Sequence, residues 1–159
     1  MNMTKSEINQ GLWLVHGKEL DNKKAQEAEQ MLKKLANENF GKYEQLFDHT
    51  LIISVTVDKR QFEYKGVKIN VVPHPQKPDT ITLLFGTSVC TLHDHPEVNF
   101  MEMLQRNHDS VYAKVVIVEG EYLEVEASAN YDHVTASEIT AMIKEVADLG
   151  YLLRKQILK

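Results

Sequence analysis

The chain holds a single cysteine, Cys90, among its 159 residues, so no intrachain disulfide can form and a disulfide-stapled scaffold is excluded. Long apolar runs are also missing. Runs such as Val115-Val116-Ile117-Val118 and Leu51-Ile52-Ile53 fall far short of the roughly 20 residues that span a bilayer. The opening Met1-Asn2-Met3-Thr4-Lys5-Ser6-Glu7 lacks the apolar stretch of a secretory signal. Together these absences lead us to expect a cytoplasmic protein with no membrane partner. Positive charge is scarce as well: 18 Lys and Arg face 23 Asp and Glu, for a formal charge of −5. No block of about five to eight basic residues occurs. A nucleic-acid backbone is bound through clustered cations, so no nucleic-acid partner is expected.

Catalytic signatures are equally absent. There is no phosphate-binding loop, dinucleotide fingerprint or G-x-S-x-G elbow; Gly66, Gly86 and Gly120 stand alone as turn or bulge glycines. Ser54, Ser88, Ser110 and Ser128 sit in ordinary strand or turn contexts, and Cys90 reads as a small buried hydrophobe. No catalytic residue and no cofactor are expected.

What is present is the composition of a globular protein, 43% hydrophobic and 26% charged. The length suits one domain over 1–159, with 1–20 an arm or short helix and 21–159 the folded body. Ile8, Leu12, Trp13 and Val15 are apolar residues of that arm, whose pattern is interrupted by Gly11 and Gly17. Asp21 or Asn22 can cap a helix whose buried stripe is Ala25, Ala28, Met31, Leu32, Leu35 and Ala36, with Glu27, Glu29, Lys33 and Lys34 opposite. Phe40-Gly41 ends it, the glycine being free to take a left-handed cap.

The period then changes to two. Leu51, Ile53, Val55 and Val57 share one strand face, and Asp58-Lys59-Arg60 forms a polar turn. Val67, Ile69 and Val71 alternate in the next strand, where Gly66 leaves open one long bent strand or a tight hairpin. Pro73, Pro75 and Pro78 mark a loop, and Thr80 to Phe85 resumes the sheet. Pro96 suits the first position of a short helix ending near Asn107-His108, with Phe100, Met103 and Leu104 on its apolar side. Val111 to Val118 is apolar enough for a central strand, turning at Glu119-Gly120 into a strand with Leu123, Val125 and Ala127 inward. The last helix is the best specified. Thr135-Ala136-Ser137-Glu138 is a capping box, Val134 and Ile139 form a hydrophobic staple, and Ile139, Met142, Ile143, Val146 and Leu149 or Leu153 make the buried stripe. Gly150 is expected to kink or shorten it, at a cost of about 1 kcal/mol relative to alanine.

The expected class is α+β: an antiparallel sheet of about five strands with helices on one face, in the order α-β-β-β-α-β-β-α. That order resembles the YbjN-type sensory transduction regulators and the wider type III secretion chaperone-like fold. The segments that carry the resemblance are Met103-Leu104-Gln105-Arg106-Asn107, the hairpin from Ala113 through Glu119-Gly120 to Val125, the capping box at 135–138, and the helix over 22–40. Residues 1–20 have no counterpart, and 50–72 holds more strand than the family needs. The resemblance implies a non-enzymatic protein, a homodimer that binds other proteins.

One chemical suspect remains. His93-Asp94-His95 is an H-x-H pair which, on an extended segment, points both imidazoles to one side, as in some metal sites; Cys90, Glu97 and Glu102 lie nearby. A small metal-binding protein or metal-dependent enzyme using His93 and His95, with Cys90 as a further candidate ligand, is therefore the alternative function. The plainer reading is that His93-Asp94-His95 caps the helix opening at Pro96. The other histidines, His16, His49, His74, His108 and His133, are scattered. The last hairpin offers a candidate partner surface in Tyr112, Tyr122, Glu124 and Glu126: tyrosines suit interfaces and the acidic edge would meet a basic partner. The same edge would equally serve as a solvated sheet face.

Overall fold

In the computed structural model, residues 22–77 and 79–158 are described. The readings made for residues 1–20, including His16, for the Asp21 cap and for Pro78 lie outside them. The elements run α1 (Asn22–Asn39), β1 (Tyr43–Phe47), β2 (Thr50–Asp58), β3 (Glu63–Pro73), β4 (Ile81–Thr91), α2 (Phe100–Asp109), β5 (Lys114–Val118), β6 (Tyr122–Asn130) and α3 (Ala136–Ile157). The six strands form one antiparallel sheet ordered β1-β2-β3-β4-β6-β5. The α+β class holds, with one strand more than expected.

The extra strand is β1. Its Tyr43-Glu44-Gln45-Leu46-Phe47 has no apolar alternation, and it exists because it pairs with β2 at the sheet edge. Gly66 interrupts nothing: β3 is one continuous strand, paired at Gly66 with Ser54, and it runs on to include Pro73. β4 likewise extends beyond Phe85 to Thr91, which places Cys90 in a strand.

The period-two pattern delivers its core. Leu51, Ile53 and Val55, Val67, Ile69 and Val71, Ile81, Leu83 and Phe85, and Leu123 and Val125 all bury on one face. α1 and α3 cover that face. α1 contributes Ala25, Ala28, Leu32, Leu35 and Ala36, and ends as expected, with Phe40 and Gly41 N–H groups both donating to the Ala36 carbonyl at 2.8 Å and Gly41 at φ 85°. Glu29 departs from expectation. It falls in line with Ala25, Leu32 and Ala36, so it is buried, with Oε1 at 3.5 Å from His49 Nδ1 in the β1–β2 turn.

α3 shows both capping-box hydrogen bonds, Glu138 N–H to Thr135 Oγ1 at 3.1 Å and Thr135 N–H to Glu138 Oε2 at 3.2 Å. It runs unbroken through Gly150, which neither shortens nor interrupts it. Gly150 is buried against Thr87 of β4, where a side chain would find no room.

Two further expectations are corrected. The middle helix starts at Phe100, not Pro96, because the Asn99 side chain accepts the Glu102 N–H at 3.2 Å and so caps it. Proline tolerates a first helical position but supplies no such bond. β5 is a short edge strand of five residues, not a central one, because β6 takes the place beside β4.

Candidate functional site

The most distinctive surface is built around α2. Met103 is its one buried residue, and the helix meets the sheet chiefly beside β5. Its other apolar side chains face solvent: Phe100 is 50% exposed, Met101 67% and Leu104 64%. Val111, just after the helix, and Ile117 on β5 are also exposed. Scattered exposed apolar residues need no explanation; here three lie on one short helix.

That exposure is imposed by a tightly bonded frame. The Asn107 side chain acts as a strand would: its amide donates to the Val115 carbonyl at 3.1 Å, and its oxygen accepts the Val115 N–H. Lys114 Nζ donates to the Asn107 and Ser110 carbonyls at 2.9 and 3.1 Å, where the helix leaves carbonyls without partners. From α3, the Glu145 carboxylate accepts three successive backbone N–H groups, from Val111 at 2.8 Å, Tyr112 at 2.7 Å and Ala113 at 3.0 Å. α2 is therefore held firmly while its apolar side is left outward.

Beside it lies a shallow open groove between the end of α2 and α3, floored by Leu149 and Leu152. Arg106 and Lys144 stand on it together with Asp109 and Asp148. Burial pushes the Asp148 carboxyl up from its usual range, with Lys144 opposing.

The residues named from sequence divide. Tyr122, Glu124 and Glu126 share the face of the sheet that no described helix covers, where Glu126 is opposite Gly86 on one side and Lys114 on the other. Burial and the neighbouring Glu124 push the Glu126 carboxyl up, while Lys68 pulls it down. Lys114 gives Glu126 no help, since its ammonium is turned to the α2 carbonyls. Tyr112 belongs elsewhere: it lies in the α2–β5 connection, half-buried against the core. Sequence reading put Phe100 and Leu104 together with Met103 on one apolar side of the helix. Phe100 and Leu104 signal a surface only once Met103 is known to be the buried side.

His93 and His95 are not on an extended segment. The Asp94 N–H donates to the Thr91 carbonyl and the His95 N–H to the Leu92 carbonyl, both at 3.2 Å, so the segment is a turn and the two imidazoles have no common strand face. His95 Nδ1 instead pairs with Glu97 Oε1 at 3.0 Å, and His93 is exposed. The backbone N–H, then His95, hold the Glu97 carboxyl below its usual range. The Cys90 thiol is pushed up by burial first and by Glu97 next. Among the described residues no group of three or more His, Cys, Asp or Glu is placed to hold a metal ion. Nor is any described helix long and apolar enough to cross a membrane.

No family model matches the chain, and no curated protein does. Among solved structures, the chain is similar to one in the crystal structure of the ExsC–ExsE complex, at 12% sequence identity and a TM-score of 0.54. The likeness covers 84% of this chain and 95% of that one. At this identity it is a likeness of fold, and it supports the α+β architecture; it does not bear on the YbjN-type regulators. The chain thus shares its fold with a component of a two-protein complex.

Proposed function

We propose that the protein is a non-catalytic protein-binding domain, regulatory or chaperone-like, that acts as a cytoplasmic homodimer without a cofactor. The observation that carries this reading is the outward apolar side of α2, with Phe100, Met101 and Leu104 exposed on a helix that its hydrogen bonds hold in place. The fold shared with a chain of the ExsC–ExsE complex supports the protein-binding part.

The α2 surface also suits a second copy of the same chain. A two-fold contact needs a self-complementary patch. Here projecting Met101 and Leu104 lie on the helix that borders the groove over Leu149 and Leu152, and that groove carries both charge signs, Arg106 and Lys144 with Asp109 and Asp148. A two-fold axis lets each copy's projecting side chains enter the other's groove and sets acid against base. Charge placed at the centre of the contact tests the idea. Leu104→Glu should give a monomer in sedimentation-velocity runs at concentrations where the wild type is dimeric, with an unchanged circular-dichroism spectrum. Indistinguishable sedimentation of the two proteins would refute the α2 contact.

A further inference from the structure

The turn joining β2 to β3 exposes Lys59, Arg60 and Phe62. Phe62 stands at φ 54°, in the left-handed region that a bulky side chain rarely occupies. It nonetheless leaves 77% of its surface in solvent, so burial returns nothing for the strain. The turn itself is well made: Asp58 Oδ1 accepts the N–H groups of Arg60 at 2.9 Å and Gln61 at 3.2 Å. A strained and exposed aromatic on a rigid turn points to a use at the surface.

The end of α3 adds charge. The Tyr151 hydroxyl donates to the Glu63 carboxylate, and Lys155 Nζ lies 4.8 Å from the centre of the Tyr151 ring. Arg154 is close enough to Lys65 that, after burial, it is the cause holding the Lys65 ammonium below the usual lysine range. Lys59, Arg60, Lys65, Arg154 and Lys155 thus gather around Asp58 and Glu63, with Glu97 and Asp94 farther off near Cys90, which Arg154 also reaches. None of these cations is in an ion pair among the described residues. This pole is positive in a chain of net charge −5.

We infer that this pole, Phe62 set among Lys59, Arg60, Lys65, Arg154 and Lys155, docks an acidic segment of a partner protein that brings an apolar side chain onto the Phe62 ring. The inference rests on the protein-binding reading above and gives the partner a chemistry. Lys59, Arg60, Arg154 and Lys155, in excess over Asp58 and Glu63, supply the attraction and the steering, while Lys65 is held by the Ser88 carbonyl at 2.7 Å. Phe62 supplies apolar area that stays in water until the partner arrives. A chain segment fits better than an anionic lipid surface. Asp58 and Glu63 lie within the pole, and a flat sheet of headgroups would be pressed against both, whereas a single segment can pass between them.

The test uses a fluorescent synthetic peptide alternating Glu with Leu, its counterpart with Lys in place of Glu, and phosphatidylglycerol vesicles. The wild-type protein should bind the Glu peptide, more weakly as salt is added, and not the Lys peptide. Phe62→Gly and the double variant Arg60→Glu/Arg154→Glu should each weaken binding about tenfold or more. Phe62→Gly should melt no lower than the wild type, because glycine suits the backbone there, so its loss of binding is not unfolding. Glu-peptide binding that neither variant weakens, binding to vesicles alone, or no binding at all would overturn the inference. A wild-type dimer that ignores the peptide overturns this pole and leaves the homodimer standing; a strict monomer that binds it through Phe62 does the reverse.

Discussion

Gly150 of α3 rests directly on Thr87 of β4, so closely that a methyl group added at Gly150 would overlap Thr87 Cγ2. Thr87 cannot simply turn away, because its hydroxyl donates to the Gly66 carbonyl at 2.8 Å. The contact joins the longest helix to the centre of the sheet.

Alanine is the better helix former by about 1 kcal/mol, but the overlap should cost about 1–3 kcal/mol. Gly150→Ala is therefore expected to lower stability, by up to about 2 kcal/mol net in urea denaturation. Thr87→Ser removes the offending methyl and keeps the hydroxyl, so Gly150→Ala/Thr87→Ser should recover most of the loss. A stabilised Gly150→Ala would show that the contact is looser than described.

Glu145 ties α3 to the α2–β5 connection through three N–H groups. Glu145→Ala leaves those donors without an acceptor and should cost about 2 kcal/mol. Glu145→Gln, keeping one acceptor oxygen, should cost less. Amide hydrogen exchange locates the effect: Tyr112 and Ala113 should lose protection first. Unchanged protection at both would contradict the role given to Glu145.

Glu126 gives a pH signature. Its carboxyl is pushed up in the folded state by burial and by Glu124. A raised carboxyl contributes stability below its unfolded value, near 4.3, and that contribution is lost as pH rises through the folded value. Glu126→Gln should thus melt above the wild type at pH about 7, and this advantage should disappear as pH falls toward about 4. Solvent screening keeps the gain below about 1 kcal/mol. A constant difference across that range would contradict the cause assigned here.

Much of the fold is legible from local chemistry. The capping box at Thr135 and Glu138, the left-handed end at Gly41 and the alternation through Leu51, Ile53 and Val55 each depend on residues adjacent in sequence, and each appears as read. What escaped depends on pairing. β1 has no pattern of its own and is made by β2. The run from Val111 to Val118 looks central but lies at an edge, because strand order is decided across the sheet. Glu29 sits on the apolar line of α1 yet reads as surface until His49 is seen beside it.

The site divides in the same way. Tyr122, Glu124 and Glu126 were grouped by alternation and do share a face, whereas Tyr112 was grouped by proximity in sequence and does not. Phe100 and Leu104 carry the right periodicity for a buried stripe; only the position of α2 at the end of the sheet turns that stripe outward.

Multi-angle light scattering on the eluting wild-type protein, across the micromolar range, is the most direct measurement of the central claim. The α2 surface predicts a mass of twice the single chain, falling to one chain for Leu104→Glu. A wild-type protein that stays at the mass of one chain at every concentration would contradict it.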